Sequence, residues 1–567
     1  MAFFASVSVT LLVLTATFFL IPTAFAYGLK AVLCSVGWSL RNKTNARREL
    51  ILSQVRAEEE QHQSKHSASL ASASASSPED DDWEKVDSTV PGVAGNGKPL
   101  GEDWEGIIGF FHPFCPLSHK TRSNAGGGGE RVLWAAVKAT QERWPKAVCA
   151  IYTGDHEVTK AAMLERVETR FNIKLHAPTV VLLYLSTRKY ILSSMYPHFT
   201  LLGQSLGSLI VAFDAFNLLV PDIYIDTMGY AFTIALSKFL FPSVPTGAYV
   251  HYPTISTDML SSLDDSTGIK GLNSGAGAGW KGVAKKKYWH IFASIYGWVG
   301  SKVDVVMTNS SWTSAHINSL WGPSRKRLEH KNATVVFPPT AVSELHSSID
   351  VSSSSESTRE PSIVYIAQFR PEKNHSLILR AFARFVNETR NNNNNNDKIT
   401  ASGSTPKLIL IGSVRHSSPD ETHIYHLRLL AHELHIRDQT TFLCDASWPT
   451  ILSHLRTSSI GTNAMWSEHF GIGVVEYQAA GLISVVHDSG GPREDIVIDL
   501  GDGATGFRAS TEEEFAAAFE AALALPEQER VAMRLRARKS ALRFTEEEFA
   551  RKWIEEVAKL VSQCRKK

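Results

Sequence analysis

Two carboxylates in the last third of the chain are spaced like a pair that holds a ligand. Glu468 and Glu476 flank Gly471 and Gly473 in the run SEHFGIGVVEYQAAG. A glycine-rich loop that opens a helix presents free backbone N–H groups and the positive end of the helix dipole, which suits a phosphate or a polyhydroxy ligand. This stretch therefore predicts a binding pocket, and its chemistry depends on the elements around it.

Two cations follow a predicted strand well upstream of this pocket. Arg370 and Lys373 lie in a polar loop directly after the predicted strand Ser362–Ala367. Ligands of open α/β sheets bind at the carboxyl ends of the strands. Arg bonds a diphosphate bidentately and Lys acts as a point charge, so the pair suits a diphosphate. Taken alone, an Arg and a Lys in a loop are more often solvated surface charges.

A run of four glycines, Gly126, Gly127, Gly128 and Gly129, precedes the predicted helix Arg131–Arg143. The run has two readings, a flexible loop or a close approach of the backbone to a phosphate. The sequence lacks GxGxxG spacing and GKS or GKT at this point, so neither a dinucleotide fingerprint nor a P-loop is indicated.

The elements that would position these residues alternate between strand and helix along most of the chain, which predicts parallel doubly wound α/β sheets. The predicted strands before residue 342 are Ile107–His112, Ala147–Tyr152, Val180–Leu185, Asp222–Asp226, Thr246–Tyr252, Val303–Thr308 and Thr334–Phe337. Ser362–Ala367, Lys407–Gly412 and Leu482–His487 are the predicted strands after it. We expect two Rossmann-like domains, over residues 104–342 and 362–545.

Length and composition fit two domains, because 567 residues with 43% hydrophobic content can bury two full cores. A formal net charge of +1 argues against bulk electrostatic capture of nucleic acid, so no nucleic-acid partner is expected. The five cysteines have no CxxC spacing, which indicates neither a zinc site nor a disulfide framework.

The first 28 residues are predicted to be a transmembrane anchor. Ala2–Tyr27 is a nearly continuous apolar run without a charge, and about 20 such residues span a bilayer. A cleaved signal peptide is the alternative, because Ala24-Phe25-Ala26 resembles a small-x-small cleavage site. The basic residues all follow the run, so the positive-inside rule places the remainder of the chain in the cytosol.

Two polar segments are predicted to lie outside the folded domains. Residues 58–100 are rich in Ser, Ala, Asp and Glu and are predicted to form a disordered tether. Residues 343–361, dense in Ser and Glu, are the predicted interdomain linker. The last predicted helix, in the segment 546–567, is expected to leave the second domain.

Two further segments bear on membrane contact. Leu201–Val220 is long and apolar, but Gln204 and Asp214 interrupt it, so a core helix, a helix against the bilayer surface and a second span are all open. Lys285, Lys286 and Lys287 precede an aromatic run that begins at Tyr288. This pattern suits an anionic lipid interface, or equally an ordinary helix start with solvated lysines.

The conjunction of these motifs resembles a known family. Arg370-x-x-Lys373 after a strand, followed by the E-x7-E pair Glu468 and Glu476, resembles the retaining GT-B glycosyltransferases of family four. Within that family, the chain resembles the eukaryotic GDP-mannose-dependent dolichol-pyrophosphate oligosaccharide α-1,2-mannosyltransferases of the endoplasmic reticulum. The resemblance runs from about residue 106 to the C-terminus, in stretches such as GFFHPFCPLSHKTRSNAGGGGERVLWAAV, PDIYIDTMGYAF, GAYVHYPTIS, TNSSWT and YIAQFRPEKNH.

The resemblance implies a GT-B fold, with two Rossmann-like domains facing a cleft, the first for the acceptor and the second for the nucleotide sugar. It implies retaining transfer of mannose from GDP-mannose to a dolichol-pyrophosphate-linked oligosaccharide, from Man3GlcNAc2 to Man5GlcNAc2, through α-1,2 linkages. The site would be the cytosolic face of the endoplasmic reticulum membrane, reached by a single-pass anchor, with membrane lipid and other lipid-linked-oligosaccharide mannosyltransferases as further partners. The last helix would pack back on the first domain.

The resemblance also implies roles for the second-domain residues. Glu476 would accept hydrogen bonds from the nucleotide ribose. Glu468 would hold hydroxyls of the donor sugar together with backbone N–H groups of Phe470, Gly471 and Ile472. Arg370 and Lys373 would neutralise the diphosphate leaving group as the glycosidic bond breaks.

Two first-domain features complete the implied site. Gly126–Gly129 would approach the diphosphate from the facing domain, and His251 matches a position near the transferred sugar. Without the resemblance, His251 reads as a satisfied histidine at a strand end. The role of Gly490-Gly491 stays unassigned, beyond a supporting loop.

No residue is marked by the sequence as a general base or as a nucleophile on the sugar. The resemblance implies that the leaving phosphate itself helps to take the acceptor proton. No cofactor or metal is expected, because no DxD cluster lies in a suitable loop. Two alternatives stay open: another lipid-directed family-four transferase of different linkage, and a non-catalytic GT-B membrane scaffold.

Overall fold

The computed structural model of the protein describes residues 2–74, 104–114, 128–156, 158–265, 275–394, 405–415 and 418–565. Side chains are described within these ranges except at residues 2–22, 66–74 and 390–394. Gly126 and Gly127, and residues 75–103, therefore lie outside the described part of the chain.

The first sheet has seven parallel strands in the order β3-β2-β1-β4-β5-β6-β7. They are β1 Ile107–Phe111, β2 Val148–Thr153, β3 Val180–Tyr184, β4 Ile223–Asp226, β5 Thr246–Val250, β6 Val305–Thr308 and β7 Thr334–Val335. Every residue of β1, β2, β4, β5 and β6 is buried, as expected for parallel strands covered by helices on both faces.

The second sheet has six parallel strands in the order β10-β9-β8-β11-β12-β13. They are β8 Glu360–Ile366, β9 Lys407–Gly412, β10 Thr440–Cys444, β11 Ser458–Asn463, β12 Ile483–His487 and β13 Gly506–Ala509. In each sheet the strand that comes first along the chain, β1 or β8, lies in the interior of the sheet. The later strands are added first on one side of it and then on the other. The prediction of two doubly wound domains is therefore confirmed.

The helices pack on both faces of each sheet. The helices of the first half are α1 Ala2–Ser74, α2 Gly128–Arg143, α3 Lys160–Phe171, α4 Thr200–Leu218, α5 Ala231–Leu240, α6 Thr257–Ser262, α7 Gly279–Gly300 and α8 Ser311–Arg327. Those of the second half are α9 Val342–Ser348, α10 Ser353–Glu356, α11 His375–Asn394, α12 Pro419–Glu433, α13 Trp448–Thr457, α14 Ile472–Ala479, α15 Glu512–Ala524, α16 Glu527–Ala541 and α17 Glu546–Arg565.

Helix α1 continues well beyond the apolar N-terminal run and docks on the first domain. Leu40, Ile51 and Val55 are buried in the core of that domain. The Arg48 guanidinium donates to the Asp222 carboxylate at 2.7 Å, and the backbone N–H of Ile107 donates to the same oxygen at 2.8 Å. The start of β1 is thus tied to α1.

The predicted tether is wrong at its beginning. Residues 58–74 are helical rather than disordered, because α1 extends to Ser74. Glu58 pairs with Lys160 at 2.6 Å, and Glu59 lies 2.5 Å from His176. The polar composition of this segment reflects charges that pair with the first domain rather than a lack of structure. The rest of the predicted tether lies outside the described residues.

The predicted linker at residues 343–361 is also wrong. This segment contains α9 and α10 and the start of β8. Val342 and Leu345 are buried in the core of the second domain, and the Glu356 carboxylate pairs with the buried Arg534 at 2.8 Å. The chain therefore crosses between domains earlier, in the short stretch between β7 and α9.

The last helix, α17, leaves the second domain and packs on the first. Trp553 is fully buried there, with its ring 6.2 Å from that of Phe110. Its indole N–H donates to the hydroxyl of Thr140 on α2 at 3.1 Å. Returning the chain across the cleft connects the two domains a second time.

Among the residues whose side chains the structure describes, α4 is the one helix long and apolar enough to cross a membrane. One face of α4 is buried in the first domain, through Val211, Ala212, Ala215 and Phe216. The opposite face exposes Leu206, Ile210 and Phe213. The helix therefore combines a core face with an apolar outer face.

Candidate active site

The candidate residues of the second domain lie at the carboxyl ends of two neighbouring strands. Strands β8 and β11 pair in parallel, so their ends meet at the same edge of the sheet. A short 3₁₀ turn, Pro371–Lys373, follows β8, and the loop that carries Glu468 follows β11. In open α/β sheets this edge is where ligands bind.

Lys373 and Glu468 meet there directly. The Lys373 ammonium lies 2.5 Å from a carboxylate oxygen of Glu468, and it also lies 3.1 Å from the Met465 sulfur. The hydroxyl of Tyr365, on β8, donates to the Lys373 carbonyl at 2.6 Å and fixes the turn. The sequence placed these two residues in separate motifs, and the fold makes them an ion pair.

The charge state of Glu468 is set by opposing effects. Burial alone would raise the pKa of this carboxyl, but Lys373 and His469 nearby, with a hydrogen bond from Lys373, hold the pKa below its usual value. The Asn463 amide lies within 3.4 Å of the same oxygen. Glu468 is therefore an anion that accepts hydrogen bonds.

Helix α14 begins four residues after Glu468. Gly471 is its N-cap with φ 102°, a conformation that favours glycine, and Ile472 is the first helical residue. Phe470 is buried, with its ring 5.7 Å from Phe337 and 5.3 Å from Phe544. Phe470 can thus offer only its backbone to a ligand, whereas Gly471 and Ile472 present the helix N-terminus.

Gly490 and Gly491 support the backbone of Glu468. The Gly491 N–H donates to the Glu468 carbonyl at 2.7 Å. Gly490 has φ 67°, and a Cβ there would lie 2.2 Å from the same carbonyl oxygen. Only a residue without a side chain fits this close approach. Gly490 and Gly491, to which the sequence assigns no role, therefore support the loop that carries Glu468.

Glu476 lies on the following turn of α14 and is half-buried. Burial raises its pKa to about 7, with Arg131 of the first domain opposing this effect and Glu344 adding to it. None of the described residues donates a hydrogen bond to its carboxylate. Its ionisation is thus costly in the protein alone, and a ligand that donates hydrogen bonds would favour it.

Arg370 precedes the 3₁₀ turn and is incompletely paired. Its closest carboxylate among the described residues is that of Glu372, at 3.9 Å. Its Nε is buried, and no described residue accepts a hydrogen bond from it. A buried guanidinium N–H without an acceptor is costly, so this atom is suited to an anionic ligand.

The first domain brings His251 and the end of the glycine run to the same cleft. A Cβ built on Gly129 would lie 3.6 Å from the His251 Nε2, and one on Gly128 would lie 2.7 Å from Ile472 of the second domain. Nε2 is buried without a partner among the described residues, and burial lowers the pKa of His251 to about 4. The alternative prediction, a strand-end histidine whose hydrogen bonds are satisfied within the protein, is wrong for this nitrogen.

Several cleft residues were missed in the sequence. The rings of Tyr252 and His469, from opposite domains, stack with centroids 4.1 Å apart, and Trp312 lies 5.5 Å from His469. The Ser467 hydroxyl donates to the first-domain Asp258 at 3.3 Å. The sequence indicates two of these residues only by their position next to a predicted site residue, because Tyr252 follows His251 and His469 follows Glu468.

Known families match both halves of the chain. Residues 105–321 match the family described as ALG11 mannosyltransferase N-terminus. Residues 348–540 match the family described as Glycosyl transferases group 1. The boundary between the two matches falls near the crossing from the first domain to the second.

A protein of Neurospora crassa named GDP-Man:Man(3)GlcNAc(2)-PP-Dol alpha-1,2-mannosyltransferase is 56% identical over 538 residues, which cover 93% of this chain and 92% of that protein. The chain belongs to this mannosyltransferase family. The Mus musculus protein of the same name is 42% identical over 460 residues, covering 80% of this chain and 87% of its own length. The resemblance predicted from the motifs is therefore confirmed.

A solved structure supports the fold of this mannosyltransferase. Sucrose-phosphate synthase from Thermosynechococcus elongatus superposes with a TM-score of 0.56 at 13% identity, covering 80% of this chain and 99% of that one. At this identity the likeness concerns the fold alone. It confirms the predicted GT-B arrangement of two α/β domains around a cleft.

Proposed function

We propose that this chain transfers mannose from GDP-mannose, with retention, to a dolichol-pyrophosphate-linked oligosaccharide at the cytosolic face of the endoplasmic reticulum membrane. Membership of the α-1,2-mannosyltransferase family supports the donor, the linkage and the extension from Man3GlcNAc2 to Man5GlcNAc2. The cleft geometry supports the roles of individual residues. Retention, the membrane face and these roles are the proposed refinements.

The single observation that carries the residue roles is the ion pair between Lys373 and Glu468 at the ends of β8 and β11. A cation bound to a carboxylate in the free cleft is available to an incoming phosphate, while the carboxylate is available to hydroxyl groups. The orphaned Arg370 Nε lies at the start of the same turn. A diphosphate would satisfy both cations in place of the carboxylate pairing.

The donor is then held from both domains. Glu476 accepts hydrogen bonds from the ribose, and Glu468 holds mannose hydroxyls beside the N–H groups at the start of α14. Gly128 and Gly129 lie so close to Ile472 and His251 that a side chain at Gly128 would collide with Ile472, so the first domain offers the diphosphate only their backbone. The unpartnered Nε2 of His251 is suited to a hydroxyl of the transferred sugar.

The reaction exchanges one bond for another on the same face of mannose. The bond between the anomeric carbon and the β-phosphate oxygen breaks, and the electron pair leaves with GDP. The acceptor hydroxyl oxygen bonds to that carbon, and its proton passes to the departing phosphate oxygen. Arg370 and Lys373 stabilise the negative charge that develops on the phosphate, so the proposal requires no metal ion.

Membrane attachment is proposed to involve lipid contact by the first domain in addition to the N-terminal anchor. α7 exposes Trp280, Val283 and Ile291, and its Trp298 ring lies 5.8 Å from Phe239 of α5. The Cys34 thiol of α1 approaches the carbonyl of the same Phe239. Phe239 thus connects Trp298, near the C-terminal end of α7, with Cys34 of α1.

Charge at this surface has the sign that anionic lipid attracts. Lys281 lies 5.5 Å from the ring centroid of the exposed Trp280, and Lys302 lies 5.5 Å from that of the exposed Trp298. Basic residues combined with exposed tryptophans favour the interfacial region of a bilayer. Residence at the membrane raises the effective concentration of a lipid-linked acceptor.

The test of the reaction is incubation of the full-length, membrane-bound protein with labelled GDP-mannose and a panel of lipid-linked oligosaccharides. We expect label only with acceptors that have the Man3 or Man4 core, in α-1,2 linkage. Label in another linkage would support a different lipid-directed transferase. An absence of transfer by folded protein would support the non-catalytic scaffold.

The test of the membrane proposal compares two changes. Deleting residues 1–28 is expected to weaken sedimentation with liposomes but leave measurable binding, which Trp280→Ala with Trp298→Ala should then remove. Tyr425→Ala, on an exposed second-domain aromatic, is the matched control. Unchanged binding after both changes would contradict lipid contact.

Association with other mannosyltransferases of the lipid-linked series stays a prediction.

A further inference from the structure

The aromatic stack between the domains lies one residue away from each of the two groups proposed to hold the donor sugar. Tyr252 directly follows His251 in the first domain, and His469 directly follows Glu468 in the second. The Tyr252 and His469 rings are nearly parallel, at 29°, with centroids 4.1 Å apart. The stack thus joins the two segments that carry His251 and Glu468.

Trp312 extends the same contact. Its ring lies 5.5 Å from His469 at an interplanar angle of 26°, and its indole N–H donates to the Asp258 carboxylate at 3.1 Å. His316 contributes a further nitrogen 3.5 Å from that carboxylate. The first domain therefore presents His469 with an aromatic surface that is itself held by hydrogen bonds.

The residue before Glu468 is held by the same network. The Ser467 hydroxyl donates to the Asp258 oxygen that Trp312 also contacts, at 3.3 Å. Ser467 adopts φ 52°, which is uncommon for a residue with a side chain. Both neighbours of Glu468 thus contact the first domain, and the loop cannot shift without breaking one of these contacts.

The second domain holds the same loop from below. The Gly491 N–H binds the Glu468 carbonyl, and Gly490 leaves no space beneath it. The tripeptide Ser467-Glu468-His469 is therefore enclosed, with one domain fixing its backbone and the other fixing its flanking side chains.

We propose that His469 is a positioning residue that couples closure of the cleft to the placement of Glu468 opposite His251. The inference rests on the proposed donor-sugar roles of Glu468 and His251. When the domains separate, the Tyr252–His469 stack is lost and Glu468 is no longer held at its working distance from His251. Transfer then proceeds only from the closed arrangement, which protects the donor from water.

The chemistry of the ring suits this role. Burial lowers the pKa of His469 to about 4, against the attraction of Glu468, so the imidazole is neutral at physiological pH. A neutral ring stacks on Tyr252 and Trp312 as an aromatic group and adds no second cation beside Lys373. A phenyl ring could therefore replace it in the stack.

A double-mutant cycle tests the coupling in the full-length protein. His469→Ala and Tyr252→Ala are each expected to lower kcat about two- to tenfold, the factor given by losing one aromatic pair. Because both remove the same stack, the double variant should be no slower than the slower single variant. His469→Phe should recover most of the lost rate. The Kd for GDP should stay within about twofold, since neither ring is among the groups proposed to hold the nucleotide.

Controls separate this proposal from the one it rests on. Thermal unfolding checks that every variant is folded, and Tyr425→Ala is the control for removing an aromatic side chain outside the cleft. The positioning role would be overturned if the decrease in kcat of the double variant equalled the product of the two single decreases. It would also be overturned if His469→Phe were as slow as His469→Ala. Normal transfer by Lys373→Ala, measured in parallel, would instead refute the proposed site, whatever the cycle shows.

Discussion

Replacing Glu476 by Gln is expected to stabilise the folded protein at alkaline pH while weakening its hold on the donor. The half-buried Glu476 side chain on α14 has no hydrogen-bond donor among the described residues, and burial raises its pKa from the usual 4.5 to about 7. A Gln side chain has nearly the same shape and carries no charge. The substitution therefore removes an ionisation that costs stability in the free protein.

The magnitude follows from the pKa. A tenfold change in proton affinity corresponds to about 1.4 kcal/mol, so ionising Glu476 costs up to about 3.5 kcal/mol more in the folded chain than in the unfolded chain. Losing a charge-assisted contact to the ribose should raise the Kd for GDP-mannose about tenfold or more.

The pH dependence has a definite sign. A carboxyl with a raised pKa in the folded state contributes its stability fully below about pH 4.5, where both states are protonated. This contribution is lost as the pH rises through about 7, because the unfolded chain then ionises more easily. The advantage of Glu476→Gln should therefore be small near pH 5 and largest near pH 8.

The assay is thermal unfolding of the purified full-length protein in detergent at pH 5, 6, 7 and 8, together with calorimetric titration of GDP-mannose. Glu388→Gln is the matched control, since Glu388 is an exposed helical residue paired with Arg384 outside the cleft. We expect the Glu476→Gln melting temperature to exceed that of the wild type by several degrees at pH 8. A lower melting temperature at pH 8 with an unchanged Kd would refute the reasoning.

Two further predictions concern the support of the site and of the fold. Gly490→Ala should lower kcat by at least tenfold, because the new Cβ would displace the Glu468 carbonyl. Gly322→Ala is the control and should leave kcat unchanged, because a Cβ there meets nothing within 4 Å. Equal rates for the two variants would contradict the close approach at Gly490. Arg48→Ala should destabilise the first domain by about 1 kcal/mol and speed protease cleavage within α1, because Asp222 loses its charged partner. An unchanged cleavage rate would show that α1 docks without this pair.

The strand pattern was the most predictable part of the fold. Buried parallel strands read as short apolar runs, so β1 and β8 could be located from local sequence, and the charged loops after them pointed to the ligand edge. Strand β11 was not predicted, although it delivers Glu468. Its sequence SSIGTN is polar, and its burial depends on neighbours in the sheet.

Helix α1 shows where composition misleads. Residues 58–74 are polar and were predicted to be disordered, but the buried positions Leu40, Thr44, Ile51 and Val55 recur at helical spacing just before them. That stripe was a usable signal for a docked helix. The ion pairs that extend the helix to the first domain join residues about a hundred positions apart, and local sequence cannot indicate them.

Some residues of the candidate site could be predicted from the sequence, and others could not. Glu468, Glu476, Arg370 and Lys373 were found through their motifs, because spacing along the chain carries that information. The stack of Tyr252 on His469 and the bond from Ser467 to Asp258 depend on how the two domains face each other. No periodicity within either segment encodes that orientation, so these contacts required the structure.

The central claim is that Lys373 neutralises the diphosphate of GDP-mannose during transfer, and single-turnover mannose transfer by Lys373→Ala tests it most directly. Lys407→Ala is the control, since Lys407 pairs with Glu360 on the surface of the same domain. We predict that Lys373→Ala, folded as judged by its melting temperature, transfers mannose at least about a hundredfold more slowly, while Lys407→Ala matches the wild type. Transfer by Lys373→Ala at the wild-type rate would contradict the account.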